Sequence, residues 1–224
     1  MNNKISLILQ IFLFAFPWRI RRKVLCYFLR YEVDATAKIG YSIILGDKIT
    51  MAPGSYIGNL TIIKGMTEVY LGIGARLGNL NWITGTSPSG RHFANHPMRA
   101  SRLLIGHHSA VTHRHLIDCS DEVRIGAFST VAGWGSQILT HQIDISTSSQ
   151  TAAPVSIGDY CFVGTRSVLV KGACVPNYAV LAAGSVYTAR TNDEYALYGG
   201  VPAKKIKDLA PDSGYFIRTE GYVN

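Results

Sequence analysis

The sequence predicts an all-β core built as a parallel β-helix of hexapeptide repeats, with a helical N-terminal appendage and a short C-terminal cap. Three observations carry this expectation. Ile157, Val163, Leu169, Val175 and Leu181 recur every six residues, and Tyr187 keeps the interval. Two positions before each following member sits a small residue: Cys161, Ser167, Ala173, Ala179 and Ser185. A helix would space its apolar residues by three and four, and a half-buried strand by two. A period of six with one aliphatic and one small site describes short flat strands joined by tight corners. The aliphatic side chain fills the interior, and the small one fits where the corner narrows it. The 22 glycines among 224 residues suit a fold made largely of corners.

Taken in order, the chain divides into residues 1–34 (appendage), 35–190 (β-helix) and 191–224 (cap and tail). Ile5 to Phe16 is an apolar run interrupted by Gln10 and closed by Pro17. It is too short to span a bilayer. A basic cluster follows it where a secretory signal would have a small-x-small cleavage site. Trp18 to Tyr31 interleaves Arg19, Arg22, Lys23 and Arg30 with Trp18, Ile20, Val24, Leu25, Phe28 and Leu29. That is a basic amphipathic helix, which caps the first coil or lies on a membrane surface. The repeat begins at Ala37–Gly40, with Ile39 and Leu45 six apart, and extends through Ile57, Leu71, Leu77 and Ile83. It resumes at Ile105, Val111 and Ile117, and again at Ile125 and Val131. Two polar segments interrupt it, Thr84–Leu103 and Thr140–Pro154, and long irregular loops in compact domains are usually functional or disordered. Pro202 to Leu209 reads as a short basic helix, and the tail from Pro211 to Asn224 carries Tyr215, Phe216 and Tyr222.

The formal charge of +8 is concentrated at one end. Residues 1–31 hold six basic side chains and no acid, which leaves sixteen basic against fourteen acidic residues on the other 193. This argues against nucleic acid binding across the body and for an acidic surface met by the N-terminus. Cys26, Cys119, Cys161 and Cys174 form no CxxC pair and read as reduced, small hydrophobes of a cytosolic protein.

The stretch Ile157–Tyr187, with Gly200-Val201-Pro202-Ala203-Lys204 after it and His141 before it, resembles the hexapeptide-repeat acyltransferases. Among them it looks nearest to the galactoside and polysaccharide-precursor O-acetyltransferases. The resemblance implies a left-handed winding with three strands to a triangular coil. It also implies a homotrimer that binds acetyl-CoA, the acyl donor, between neighbouring subunits. The hand comes from the resemblance alone, because parallel crossovers in general turn to the right. The implied reaction is acetyl transfer to a hydroxyl or amine of a sugar, as a capsule, exopolysaccharide or O-antigen precursor, free or lipid-linked. The implied place is the cytoplasm, with residues 1–31 in peripheral contact with the anionic inner face of the cell membrane.

Acyl transfer from a thioester needs a base near the acceptor proton, a donor for the developing oxyanion and a groove for the thioester arm. His supplies a base near neutrality. His141 opens the second interruption, and the resemblance gives the catalytic His this setting, before a loop that ends in Pro154-Val155-Ser156-Ile157-Gly158. Asp144 either accepts from the far imidazole nitrogen and fixes its tautomer or forms a turn, and Asp118 is its rival. His115 falls on the small-residue site of its hexad, where an imidazole fits badly, so it is expected to face outward. The resemblance places an asparagine near here, lining the reacting centre, where this chain offers His113 and His115. For the donor, the resemblance carries over by register to Gly164, Thr165, Ala183, Thr188, Lys204 and Lys207. Phe162 stands where the family often has Trp, and the interval from Thr188 to Gly200 is longer than the family's. Two other readings are open: a γ-carbonic-anhydrase-like zinc hydratase, suggested by the five-residue spacing of His108 and His113, and a non-catalytic trimeric scaffold. The preferred reading needs no metal.

Overall fold

Each hexapeptide forms one face of a three-sided coil, and successive coils stack through parallel strands in the computed structural model, which describes residues 3–86, 93, 95–221 and 223. The first face stacks Ile44, Ile63, Ile83, Ile117, Ile138, Leu169 and Tyr187 in one column. The second stacks Val33, Met51, Leu71, Ile105, Ile125, Ile157 and Val175. The third stacks Ile39, Ile57, Leu77, Val111, Val131, Val163, Leu181 and Tyr198. All of these side chains are buried and together form one continuous core. Strands of two residues suffice because an inner rung is hydrogen-bonded to the coils on both sides, about 4.8 Å apart.

The corners turn backbone N–H groups inward, where water cannot reach them, so each needs a partner. At the corner before the first face a ladder of buried side chains supplies it. The N–H of Thr61 donates to Ser42 Oγ (2.8 Å), that of Asn81 to Thr61 Oγ1 (3.2 Å) and that of His115 to Asn81 Oδ1 (2.9 Å). The N–H of Ser136 then donates to His115 Nδ1 (3.2 Å), and that of Ser167 to Ser136 Oγ (3.2 Å). His115 is therefore a rung of this ladder and is buried. The expectation that it faces outward is corrected: a ring nitrogen performs the task of the Asn81 amide oxygen on one side of it and the Ser136 hydroxyl on the other.

Three other expectations are also corrected. The interior residue after Ile39 is Ile44 and not Leu45, because this coil takes the corner in five residues. The first rung is Glu32–Val33, paired with Thr50–Met51, ahead of residue 35. Residues 203–208 are a strand and not a helix: Ala203–Asp208 runs antiparallel to Ala196–Gly200. Ala196–Gly200 forms the last parallel rung, on Val180–Leu181, and the returning strand covers the edge it would leave open.

The appendage closes the other end. Helices α1 (Asn3–Leu13) and α2 (Trp18–Leu29) are separated by a turn that ends at Pro17. The first coil has no coil beneath it, and side chains from both helices meet its unpaired groups. Gln10 donates through Nε2 to the Ile44 carbonyl (2.7 Å) and accepts the Ile44 N–H at Oε1 (2.9 Å). Trp18 Nε1 donates to the Ala37 carbonyl, Arg21 Nη2 to that of Gly40 and Arg22 Nε to that of Val33. Among the described residues no helix is long and apolar enough to cross a membrane.

On the corner before the third face, His108, Phe128, Tyr160, Tyr178 and Tyr195 occupy the left-handed region, with φ between 49° and 56°. Their rings stack in sequence at centroid separations of 4.4–5.4 Å. That contact offsets the strain of a positive φ without glycine. The tail lies over the stack, with Tyr215 Oη donating to the Cys161 carbonyl and the Arg218 guanidinium 3.7 Å from the Tyr215 ring centre. Tyr222 lies outside the described residues.

Both interruptions leave from the corner between the first and second faces. The first departs after Gly85 and returns at Arg102; residues 87–92 and 94 of it lie outside the described residues. The second is a hairpin, with His141–Asp144 antiparallel to Ser149–Ala152. The coil between them carries Asp118 at the same corner, paired with Thr84 on one side and Leu139 on the other.

Candidate active site

Asp118 follows the interior residue Ile117 and is buried at the corner between the two excursions. Its carboxylate accepts hydrogen bonds from the Ser120 N–H (3.1 Å) and hydroxyl (2.7 Å) at Oδ1, and from the Thr140 N–H at Oδ2 (3.0 Å). The imidazole of His141 approaches the same Oδ2 through Nδ1, at 2.6 Å. Burial alone would raise the Asp118 carboxyl. The hydrogen bonds from His141, Ser120 and Thr140, with the charge attraction to the imidazole, outweigh it and hold the carboxyl below its ordinary range. Asp118 is thus an anion, and an anion at Nδ1 selects the imidazole tautomer that carries its proton there. The lone pair is left on Nε2, where no hydrogen bond is formed within the described residues, and the His141 side chain is 40% exposed. The pair has the geometry of a general base with its orienting carboxylate.

The two excursions meet over this pair. Phe93, from the first, sets its ring edge-on to His141 at 5.8 Å between centroids. The Arg99 guanidinium covers Phe93 at 4.2 Å and donates through Nη1 to the carbonyls of Thr86 (2.6 Å) and Ser120 (2.9 Å). Sequence reasoning missed Phe93, Arg99, Ser120 and Thr140. The signal for Phe93 and Arg99 was that the polar segment from Thr84 contains an aromatic and basic residues at all, and Ser120 and Thr140 carried none. A groove of about 470 Å³, lined among others by Asn95, His96, Arg102, Asp121 and Glu122, shares Arg99 with this cluster, although neither Asp118 nor His141 lines it.

Asp144 does not reach His141. It lies in the exposed hairpin turn, where its carboxylate accepts from the Ser146 N–H (2.9 Å) and hydroxyl (2.6 Å), so the turn-forming alternative describes it. His115 is one coil edge away from the reacting surface, buried, with Nε2 3.0 Å from Thr112 Oγ1. Because Nδ1 accepts the Ser136 N–H, Nε2 carries the proton, and burial pushes the imidazole down to about 4. That is a neutral structural ring, not a proton shuttle near pH 7.

The donor positions separate into three groups. Gly164, Thr165 and Ala183 share the corner before the first face on adjacent coils: a Cβ on Gly164 would stand 2.6 Å from the Ala183 nitrogen, and Gly184 has nothing within 4 Å of where its Cβ would be. The Thr165 hydroxyl is engaged with Trp134, donating to its carbonyl (2.8 Å) and accepting its N–H (3.1 Å), so Thr165 offers shape rather than a hydrogen bond. Thr188 is exposed at the far edge of the first face, just past Tyr187. Lys204 and Lys207 are exposed on the returning strand, opposite Gly199 and Leu197.

His113 ends the strand Ala110–His113, and His108 lies on the corner before it. His108 stacks on Phe128, and His113 Nδ1 accepts the Asn79 N–H at 2.8 Å. Among the described residues no three metal-ligating side chains converge.

No family model matches the sequence. Solved structures do match the fold. The chain is similar to the polysialic acid O-acetyltransferase OatWY at 16% identity, over 84% of this chain and 90% of that one, with a TM-score of 0.54. The fold is a left-handed parallel β-helix, as in that protein. A point mutant of AntD, an N-acyltransferase from Bacillus cereus in complex with dTDP-4-amino-4,6-dideoxyglucose and Coenzyme A, matches this β-helix at 14% identity, over 76% of this chain and 86% of that one, with a TM-score of 0.50. A hexapeptide-repeat-containing acetyltransferase from Vibrio cholerae matches at 22% identity over 48% of this chain, with a TM-score of 0.45, and the match spans 63% of that protein's length.

Proposed function

We propose that this β-helix is an acetyl-CoA-dependent acetyltransferase acting on a sugar, with His141 as general base and Asp118 as its orienting carboxylate. The observation that carries the reading is the 2.6 Å contact between His141 Nδ1 and Asp118 Oδ2, on an outer wall that two excursions enclose. Bound acetyl-CoA supplies the activated acyl group. Nε2 of His141 takes the proton of the acceptor hydroxyl as its oxygen attacks the thioester carbonyl. The same proton passes to the sulfur as the C–S bond breaks, leaving an acetyl ester and free thiol. The buried Asp118 anion stabilises the imidazolium between the two transfers.

The corner of Gly164, Ala183 and Gly184 fits the donor, because a narrow pantetheine arm needs a wall without projecting side chains. Lys204 and Lys207 would meet its phosphates. The groove beside Asp121 and Glu122 offers the mixture of carboxylates, amide and guanidinium that hydrogen-bonds sugar hydroxyls. Sugar acceptors are supported by the matched proteins: OatWY is described as a polysialic acid O-acetyltransferase, and AntD was crystallised with a nucleotide-linked amino sugar. A homotrimer, acceptors on the route to a surface polysaccharide, and peripheral contact of residues 1–31 with the inner face of the cell membrane belong to the same reading.

The test offers acetyl-CoA with a panel of free sugars, nucleotide sugars, lipid-linked sugars and polysialic acid, and follows thiol release. One acceptor class should stimulate release, and His141→Ala should lower that turnover by roughly a hundredfold or more while leaving acetyl-CoA binding intact. Full activity in the variant would remove His141 from the mechanism. Thiol release with no acceptor in the panel would refute the sugar assignment.

A further inference from the structure

We propose that helix α1 docks on the membrane by inserting its own apolar face, a deeper statement of the peripheral contact read above and resting on it. The helix is inside-out. Its polar residues Ser6 and Gln10 are buried against the first coil beside Leu13, with Leu9 packed there too, while four of its large apolar residues point away from the protein. Ile5, Ile8, Ile11 and Phe12 are 56%, 67%, 54% and 64% exposed. The helical period places these four on one stripe, opposite Ser6 and Gln10. A soluble cap would do the reverse, because exposing a stripe of this kind is unfavourable unless something covers it.

Charge decides what covers it. Residues 1–31 hold six basic groups and no acid. Two of them belong to the cap: Arg21 is buried and bonded to Gly40, and Arg22 donates to the carbonyls of Val33 and Asp34. Lys4, Arg19, Lys23 and Arg30 remain exposed around the helices. An apolar stripe on an appendage whose charged residues are all cations matches an anionic bilayer, whose headgroups meet the cations while the stripe enters the acyl boundary. A helix of eleven residues is about 16 Å long, roughly half a hydrocarbon core, so it lies in the interface and does not cross it.

The experiment is flotation of the full-length protein with vesicles of phosphatidylcholine alone or with phosphatidylglycerol, at low and high salt. Deleting residues 1–31 would uncap the first coil, so surface variants are used, with folding checked by thermal melting. Wild type should float with the anionic vesicles and keep part of this binding at high salt. Ile8→Gln/Phe12→Gln should lower it at least tenfold at either salt, and Arg19→Gln/Lys23→Gln chiefly at low salt. As a second measurement, Phe12→Trp should shift its emission to the blue when anionic vesicles are added. If wild type floats and Ile8→Gln/Phe12→Gln floats equally, the inserted stripe is overturned while the peripheral reading stands. If wild type ignores both vesicle types, both fall. A lower mass for Ile8→Gln/Phe12→Gln than for wild type in lipid-free light scattering would show that another copy covers the stripe, and would overturn the proposal.

Discussion

Asp118 and His141 lie 23 positions apart in the chain, yet their Oδ2 and Nδ1 atoms are 2.6 Å apart. The stacking of coils makes this contact. Asp118 pairs with Leu139 on the next coil, and His141 stands two residues past Leu139, where the hairpin departs. A carboxylate beside a histidine in space is in this way separated from it by one full turn of sequence.

Asp118→Asn should lower turnover roughly tenfold or more, because the variant keeps an acceptor for Nδ1 but loses the charge that stabilises the imidazolium. Asp144→Asn, which alters only the hairpin turn, should leave turnover within about twofold. Thiol release per folded molecule, with folding followed by circular dichroism, measures both. Equal losses in the two variants would cancel the distinction drawn between these carboxylates.

The His115 rung has a signature in stability against pH. Its imidazole is depressed to about 4 by burial, with a smaller contribution from the nearby His113. The unfolded chain takes up a proton near 6.5 and the folded chain does not, so stability is fully present above 6.5 and lost as pH falls towards 4. The contribution is on the order of 3 kcal/mol. His115→Asn preserves an acceptor for the Ser136 N–H but does not titrate. Denaturation midpoints at pH 4.5 and 7.5 should therefore differ less in the variant than in wild type. Parallel losses in both proteins would show that this ring is not the titrating group.

Gln10 completes the open end of the β-helix. Gln10→Ala would leave both the N–H and the carbonyl of Ile44 without their amide partner in a buried place, and should cost about 2 kcal/mol of stability. Chemical denaturation reads this directly. An unchanged midpoint would mean that water at the Ile44 N–H and the Tyr31 hydroxyl at the Ile44 carbonyl replace the amide.

Lys204→Ala/Lys207→Ala should raise KM for acetyl-CoA at least fivefold while kcat stays within about twofold, since phosphate contacts far from the thioester bind ground and transition states alike. The effect should vanish with acetyl-pantetheine, which lacks the nucleotide phosphates. A KM that rises equally for both donors would point to a distorted terminal strand and away from phosphate recognition.

The fold was legible because the core of a β-helix is written as a period: one interior residue per face, from Ile157 to Tyr187, survives as a visible beat. The beat failed where corners change length. Ile44 replaced Leu45 through a shorter corner, and Ile138 follows Val131 after the glycines at 133 and 135, both at positive φ. The terminal strand Ala203–Asp208 was read as a helix because its basic composition carries no period, and its state is decided by the open edge it covers. Helix α1 shows the same division. Sequence revealed an apolar run with one glutamine, but only the packed first coil decides that Gln10 turns inward and the isoleucines outward. The position of His141 at the mouth of an excursion could be read from residue order. Its partner could not, because Asp144 is the neighbour along the chain and Asp118 the neighbour across the stack. Local patterns fix which residue faces the core. Contacts between coils depend on register, which hydrogen bonding between strands sets only once the chain has wound back on itself.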